Sequence, residues 1–136
     1  MFQLIYISTA RPDVDQHEVG RILGSARRRN HADRITGLLV FDGKRFLQAL
    51  EGDRGLVEDC YARIRKDPRH RAPVTLSEKE IGKREFGDWT MAWSRVDRID
   101  GELPLAEMVD SLVAQTSDPN TRALFRSFAR IDRRAA

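Results

Sequence analysis

The sequence predicts an α+β domain of the ferredoxin-like type, a βαββαβ sheet followed by an extra strand and two C-terminal helices. Three observations carry that prediction. Apolar runs of strand length alternate with stretches of helical spacing in the order of a split βαβ pattern. Asp42-Gly43 joins two of those runs with a pair that tolerates the positive φ of a tight turn, which makes a hairpin. At 136 residues the chain suits one domain with a genuine core and no second domain of similar size.

The elements come in this order. "FQLIYIS" (2–8) is apolar on both faces and rich in isoleucine and aromatics, as a central strand should be. "RPDVD" turns the chain into a helix over about 15–29, capped by Asp13 or Asp15, with Val19, Ile22, Leu23 and Ala26 as its inward stripe. "RITGLLVFDGKRFLQALEG" supplies the hairpin. Gly37 in its first run signals a bulge or the close approach of another group, a ligand being one candidate. A second helix over about 54–66 repeats on Leu56, Val57, Cys60, Tyr61 and Ile64 and ends at Asp67-Pro68. Strands are expected at 73–82 and 89–96. Two helices close the chain: about 104–115, built on Leu105, Met108, Val109, Leu112 and Val113, and about 118–132, capped by Ser117 or Asp118 with Pro119 in its first turn.

Composition narrows the function classes. Apolar residues make 40% of the chain and charged residues 33%, the profile of a soluble globular protein. No apolar run approaches the roughly 18 residues of a membrane span, and "MFQLIYIS" lacks the basic stretch and cleavage pattern of a signal peptide. The single cysteine, Cys60, cannot form an internal disulfide and fits a reducing cytoplasm. His17, His31 and His70 are scattered, so no metal site is expected. Net charge is +3, from 24 basic and 21 acidic residues, with signs interspersed. The clusters "RRRNH" and "RSFARIDRR" read as solvated faces, and neither a membrane nor a nucleic acid is expected as partner.

One residue type is out of place. In "RFLQALEG", strand alternation puts Gln48 on the same side as Phe46 and Leu50. A buried amide without a partner there would cost about 1–3 kcal/mol. Tyr6 shares a strand face with Leu4, and Asn30 closes the first helix. The expected sheet order sets the first and third strands side by side, so a phenol and two amides can converge beneath the helices. That set is what a planar heterocycle with a polar edge needs. Each residue also has a plainer reading: a core tyrosine satisfied by backbone, an asparagine cap, a half-exposed strand glutamine.

"LIYIS" (4–8), "RRN" (28–30) followed by "ITGLLVF" (35–41), "FLQALEG" (46–52), "DPRH" (67–70) and "WTMAW" (89–93) stand in an order and spacing that resembles the BLUF domain, the flavin-binding blue-light sensor. The resemblance covers about residues 1–96 and makes 97–136 a helical extension expected to pack on the sheet. It implies a flavin held noncovalently between the two helices, usually FAD, with FMN or riboflavin as alternatives. Tyr6 matches the photoactive tyrosine, Gln48 the switching glutamine, and Asn30 the asparagine that bonds the flavin's polar edge. Arg69 and His70 match a pair near the flavin, while Trp89 and Met91 match a strand that relays the signal. In the family mechanism light moves an electron and a proton from the tyrosine to the flavin, and recombination leaves the glutamine rearranged. The sequence departs from the pattern at Arg29, where many members have asparagine, and at Ala26, where many have serine.

The function so implied is a cytoplasmic photoreceptor and not an enzyme. With 136 residues leaving no room for a fused effector, it is expected to signal through an unidentified downstream protein or through a homodimer or higher homo-oligomer. One rival is a ferredoxin-like RNA-binding module, with Phe46 as a stacking aromatic. Another is a small metabolic enzyme using Arg69, His70 or Tyr6, although no nucleophile–base motif supports it.

Overall fold

Strands that are apolar on both faces need cover on both sides, and here the two covers come from different parts of the chain. The computed structural model describes residues 1–14, 16–41, 43–86, 92–95, 114 and 118–135. Its elements are β1 (Phe2–Ala10), α1 (Gln16–Asp33), β2 (Thr36–Phe41), β3 (Arg45–Gly52), α2 (Arg54–Arg65), β4 (His70–Glu80), β5 (Ala92–Arg95) and α3 (Pro119–Ala135). They form one sheet in the order β4-β1-β3-β2-β5. The first four strands are antiparallel, in the expected ferredoxin-like order, and β5 joins β2 in parallel as the extra strand.

Strand alternation sorts the core into two layers. Leu4 and Tyr6 of β1, Leu39 and Phe41 of β2, and Phe46 and Leu50 of β3 face α2, whose Val57, Cys60 and Tyr61 pack on them, with Ile22 of α1 alongside. Ile5, Leu38, Val40, Leu47 and Ala49 point the other way and meet Phe86 and the α3 residues Phe125 and Phe128. Of the caps expected from the sequence, Asp118 is found at its helix start, and Asp53 is a further one. Asp53 accepts from the Leu56 N–H at 3.2 Å to start α2, and Asp118 accepts from the Asn120 N–H at 2.8 Å to start α3. The Asp118 carboxylate also pairs with Lys79 of β4.

Three local expectations change, and a fourth is made specific. α1 runs on to Asp33, so Asn30 lies inside its last turn instead of closing it. The left-handed residue is Arg34, at φ 56°, because no glycine or proline interrupts the chain before it. β1 continues past residue 8 to Ala10, since its last residue pairs with His70 at the start of β4. β4 correspondingly starts at His70 rather than residue 73, and Pro73 is tolerated because this is an edge strand. Finally, the group approaching Gly37 is the backbone of β3. A Cβ there would sit 1.9 Å from the Ala49 carbonyl oxygen.

A buried carboxylate fastens the end of the hairpin to the segment after β4. Glu51 is fully buried and accepts from Thr36 Oγ1 at 2.9 Å and from the N–H groups of Glu85 and Phe86 at 3.0 and 2.8 Å. The Arg84 guanidinium adds bonds to Thr36 Oγ1 and to the carbonyls of Glu51 and Arg34. Phe86 is thereby held against Phe125, ring centroids 5.9 Å apart. Asp15, Asp42, Trp89, Met91, Ser117 and, apart from Ala114, the helix expected over 104–115 lie outside the described residues. No helix among the described residues is long and apolar enough to cross a membrane.

Candidate functional site

The antiparallel register of β1 and β3 sets Tyr6 directly opposite Gln48, on the face beneath α1 and α2. Both are nearly inaccessible, at 3% and 5% exposure, and the Tyr6 phenol donates to Gln48 Oε1. The amide between two apolar neighbours is thus satisfied on its oxygen arm by the residue across the strand pair. Burial pushes the Tyr6 phenol well above its ordinary range, and Cys60, Tyr61 and Asp67 add to the effect. Tyr6 therefore stays a protonated donor. The Tyr61 ring lies 5.0 Å from that of Tyr6, and Thr75 Oγ1 donates to the Tyr61 hydroxyl at 3.2 Å.

Above this pair a cleft of about 200 Å³ opens between α1 and α2, bordered by Asn30, Gln48, Cys60, Asp67 and Arg69. An inner chamber of about 60 Å³ shares its Gln48, Asp67 and Arg69 walls and reaches Tyr6, Phe46 and His70. Ile22, Ala26 and Ile64 border both; the inner chamber is mainly apolar, while Ser25, Arg29 and Arg63 make the outer cleft more polar. Asn30 is 1% exposed; its Oδ1 faces Cys60 Sγ at 3.7 Å, while its Nδ2 has no hydrogen-bond partner. Three buried side-chain polar atoms lack partners among the described residues, and of these only Asn30 Nδ2 belongs to a residue bordering the cleft. An orphaned donor of this kind is disfavoured by about 1–3 kcal/mol unless a ligand oxygen reaches it. A flat ligand with apolar faces and a carbonyl-bearing edge, as a flavin has, fits these residues.

The "DPRH" stretch forms one end of the chamber. Asp67 accepts from Arg69 through Nε at 2.9 Å and Nη2 at 2.6 Å, and from its backbone N–H at 2.9 Å. These bonds hold the Asp67 carboxyl below the usual carboxylate range. Arg69 Nη1 also reaches Glu18 of α1 at 3.3 Å, so the guanidinium ties α1 to the turn after α2. His70 has both ring nitrogens engaged. Nε2 donates to the Ile64 carbonyl, and Nδ1 shares a hydrogen bond with the Ser8 hydroxyl at 2.7 Å. His70 thus presents its ring, not a free nitrogen, to the chamber.

Gln48 and Arg69 border both spaces, Tyr6 and His70 the inner chamber and Asn30 the cleft, while Trp89 and Met91 lie outside the described residues. Arg29 and Ala26, the two departures noted in sequence, also border the cleft. Sequence reasoning missed Asp67 and Cys60 as cavity residues. Asp67 stood in the quoted "DPRH" but read as a helix stop, and Cys60, on the stripe of the second helix, read as core. Phe46, which an RNA-binding module would need exposed, is 4% exposed and stacked on Phe41. Among the described residues no cluster of three His, Cys, Asp or Glu side chains could hold a metal ion.

Residues 1–92 match the family described as BLUF, sensors of blue-light using FAD. A photoactivated adenylate cyclase subunit beta from Euglena longa is 32% identical over 110 residues, which is 80% of this chain and 13% of that protein. The chain thus spans about an eighth of that relative's length. Among solved structures, the dark state of BlrB, a BLUF protein, superposes with a TM-score of 0.72 at 29% identity and covers 95% of both chains. BlrP1 of Klebsiella pneumoniae, determined with FMN and cyclic diGMP, superposes with a TM-score of 0.80 at 26% identity. That match covers 95% of this chain and 34% of the other.

Proposed function

The chain belongs to the BLUF family of blue-light sensors, and from that premise we propose that it signals by rearranging the Tyr6–Gln48 hydrogen bond beside a bound flavin. The observation that carries the reading is the phenol-to-amide contact at the floor of a cleft whose wall holds an orphaned amide donor. When bound, the flavin supplies blue absorption and a reversible acceptor for one electron and one proton. Tyr6 holds the transferable proton, and its burial keeps that proton in place in the dark. Gln48 has an acceptor arm and a donor arm, so rotation or tautomerisation exchanges what it offers to Tyr6 and to the ligand while leaving both occupied. Asn30 binds the flavin's polar edge, and Arg69 with Asp67 and His70 closes the end of the chamber.

Nothing is turned over in this cycle, so the chain acts as a sensor and not as an enzyme. Residues 1–96 hold the flavin and 97–136 carry the signal outward, with Trp89 and Met91 on the route. The receiver is a downstream protein, and the chain itself works as a homodimer or higher homo-oligomer in the cytoplasm. FAD is the flavin this reading favours, on the family description. FMN and riboflavin are its alternatives.

The test is the visible spectrum of the purified protein before and after blue light. A flavin band that shifts slightly to the red and recovers in the dark is expected. Gln48→Leu should keep the flavin and lose the shift. A bound flavin whose band never moves would remove the sensor mechanism, and a protein that takes up no flavin would remove the site.

A further inference from the structure

Cys60 belongs to α2 and Asn30 to α1, so their contact spans the cleft-bearing gap between the two helices. The asparagine amide is asymmetric: its oxygen only accepts and its nitrogen only donates. Here the oxygen is turned to the Cys60 thiol at 3.7 Å, and the nitrogen is the buried atom left without a protein partner. Both residues border the same cleft. We propose that Cys60 is a positioning residue: its S–H occupies the oxygen of Asn30 and so commits the amide to present its NH₂ to a ligand oxygen.

The inference rests on the flavin reading and goes beyond it by assigning the sense of the contact. A flavin edge carries carbonyl oxygens on either side of an N–H, and an unconstrained asparagine could serve either kind of atom. Flipping Asn30 would exchange the S–H donation to an amide oxygen for an N–H donated to sulfur, a weak acceptor, and would offer its oxygen only to the N–H. The thiol thus selects a carbonyl. Burial pushes the Cys60 thiol above its ordinary range, outweighing Arg63 and Arg29 nearby, so the donor form persists at neutral pH. The sequence shows why the role is easy to overlook, since a lone cysteine at helical spacing reads as core, and Cys60 does pack in the core as well.

The experiment compares Cys60→Ala and Cys60→Ser with the parent chain, using FMN as the probe. It reads the dissociation constant by fluorescence quenching and the flavin carbonyl bands by infrared spectroscopy. Alanine removes the donor; serine keeps one. The alanine variant should bind FMN roughly three- to tenfold more weakly, the range set by one modest hydrogen bond. Its carbonyl bands should shift to higher frequency, and serine should restore both readouts. Unchanged affinity and bands in alanine would overturn the assignment. Equal losses in alanine and serine would also overturn it, because packing and not donation would then be what Cys60 provides. Absence of binding of FMN and FAD alike in the parent chain would instead bring down the flavin reading itself, and is told apart by appearing before any substitution.

Discussion

Tyr6 carries a proton that the fold makes hard to lose, and that has a consequence for stability apart from photochemistry. Its phenol is raised well above the ordinary value of 10.0, chiefly by burial and then by Cys60, Tyr61 and Asp67. In the unfolded chain the phenol ionises near that ordinary value. Above it the unfolded state binds fewer protons than the folded state, so stability falls as pH rises. Below it both states hold the proton and the group contributes no slope. Chemical denaturation between pH 9 and 11 should therefore show a loss of stability setting in near pH 10 that is smaller in Tyr6→Phe. Equal slopes in the two proteins would mean that the phenol is not held protonated. Tyr6 and Gln48 were legible in the sequence because a polar group on an apolar strand face breaks the alternation. Asn30 was legible as a residue, but its place inside the helix was not, since nothing in "RRRNHAD" marks where the helix stops.

The hairpin of β2 and β3 shows how an element constrains a single position. The Gly37 hydrogen faces the Ala49 carbonyl so closely that a methyl group would lie 1.9 Å from its oxygen. Gly20, on the exposed side of α1, has nothing within 4 Å of the same added atom. The two glycines should respond to alanine with opposite signs. Gly37→Ala forces the strands apart beneath Gln48 and should lower stability by about 3 kcal/mol, near the upper end for overpacking. Gly20→Ala should raise it by about 0.4–1 kcal/mol through the lost freedom of the unfolded chain. Urea midpoints measure both, and an unchanged midpoint in Gly37→Ala would mean that the strand spacing is looser than described. The sequence marked Gly37 as a close approach but could not say by what, because backbone from a neighbouring strand leaves no trace in local composition. Glu51 was illegible for a related reason. Its carboxylate serves the N–H groups of residues 85 and 86, more than thirty positions away. Only the folded topology brings those donors to it. Strand pattern and hairpin turn are local signals, and the sheet order followed from them.

At the scale of the molecule, the sheet divides two layers that share strands but no side chains. The layer under α1 and α2 holds the Tyr6–Gln48 pair and the cleft. The opposite layer is closed by Phe125 and Phe128 of α3 together with Phe86. Arg45 reaches across to the Phe128 ring, 5.0 Å from its centroid, and Lys79 holds the start of the helix through Asp118. The helix therefore covers part of the apolar sheet face opposite the cleft. Two layers joined only through strands should fail separately in the dark. Phe125→Ala removes a fully buried ring and should destabilise the fold by about 3–5 kcal/mol. For a chain of this size that lowers the unfolding midpoint by roughly 10–15 °C. The cleft lies on the other side of the sheet, so below that midpoint the dark flavin spectrum and the size of its red shift in light should match the parent chain. Where light and dark differ in the protease sensitivity of α3, that difference should shrink in the variant, because Phe86 would have lost the ring through which the Glu51 clamp presses on the helix. A changed dark spectrum at temperatures where the variant is folded would show that the layers are coupled through more than the strands. An undiminished light-dependent difference would show that the signal leaves the sheet without using this contact.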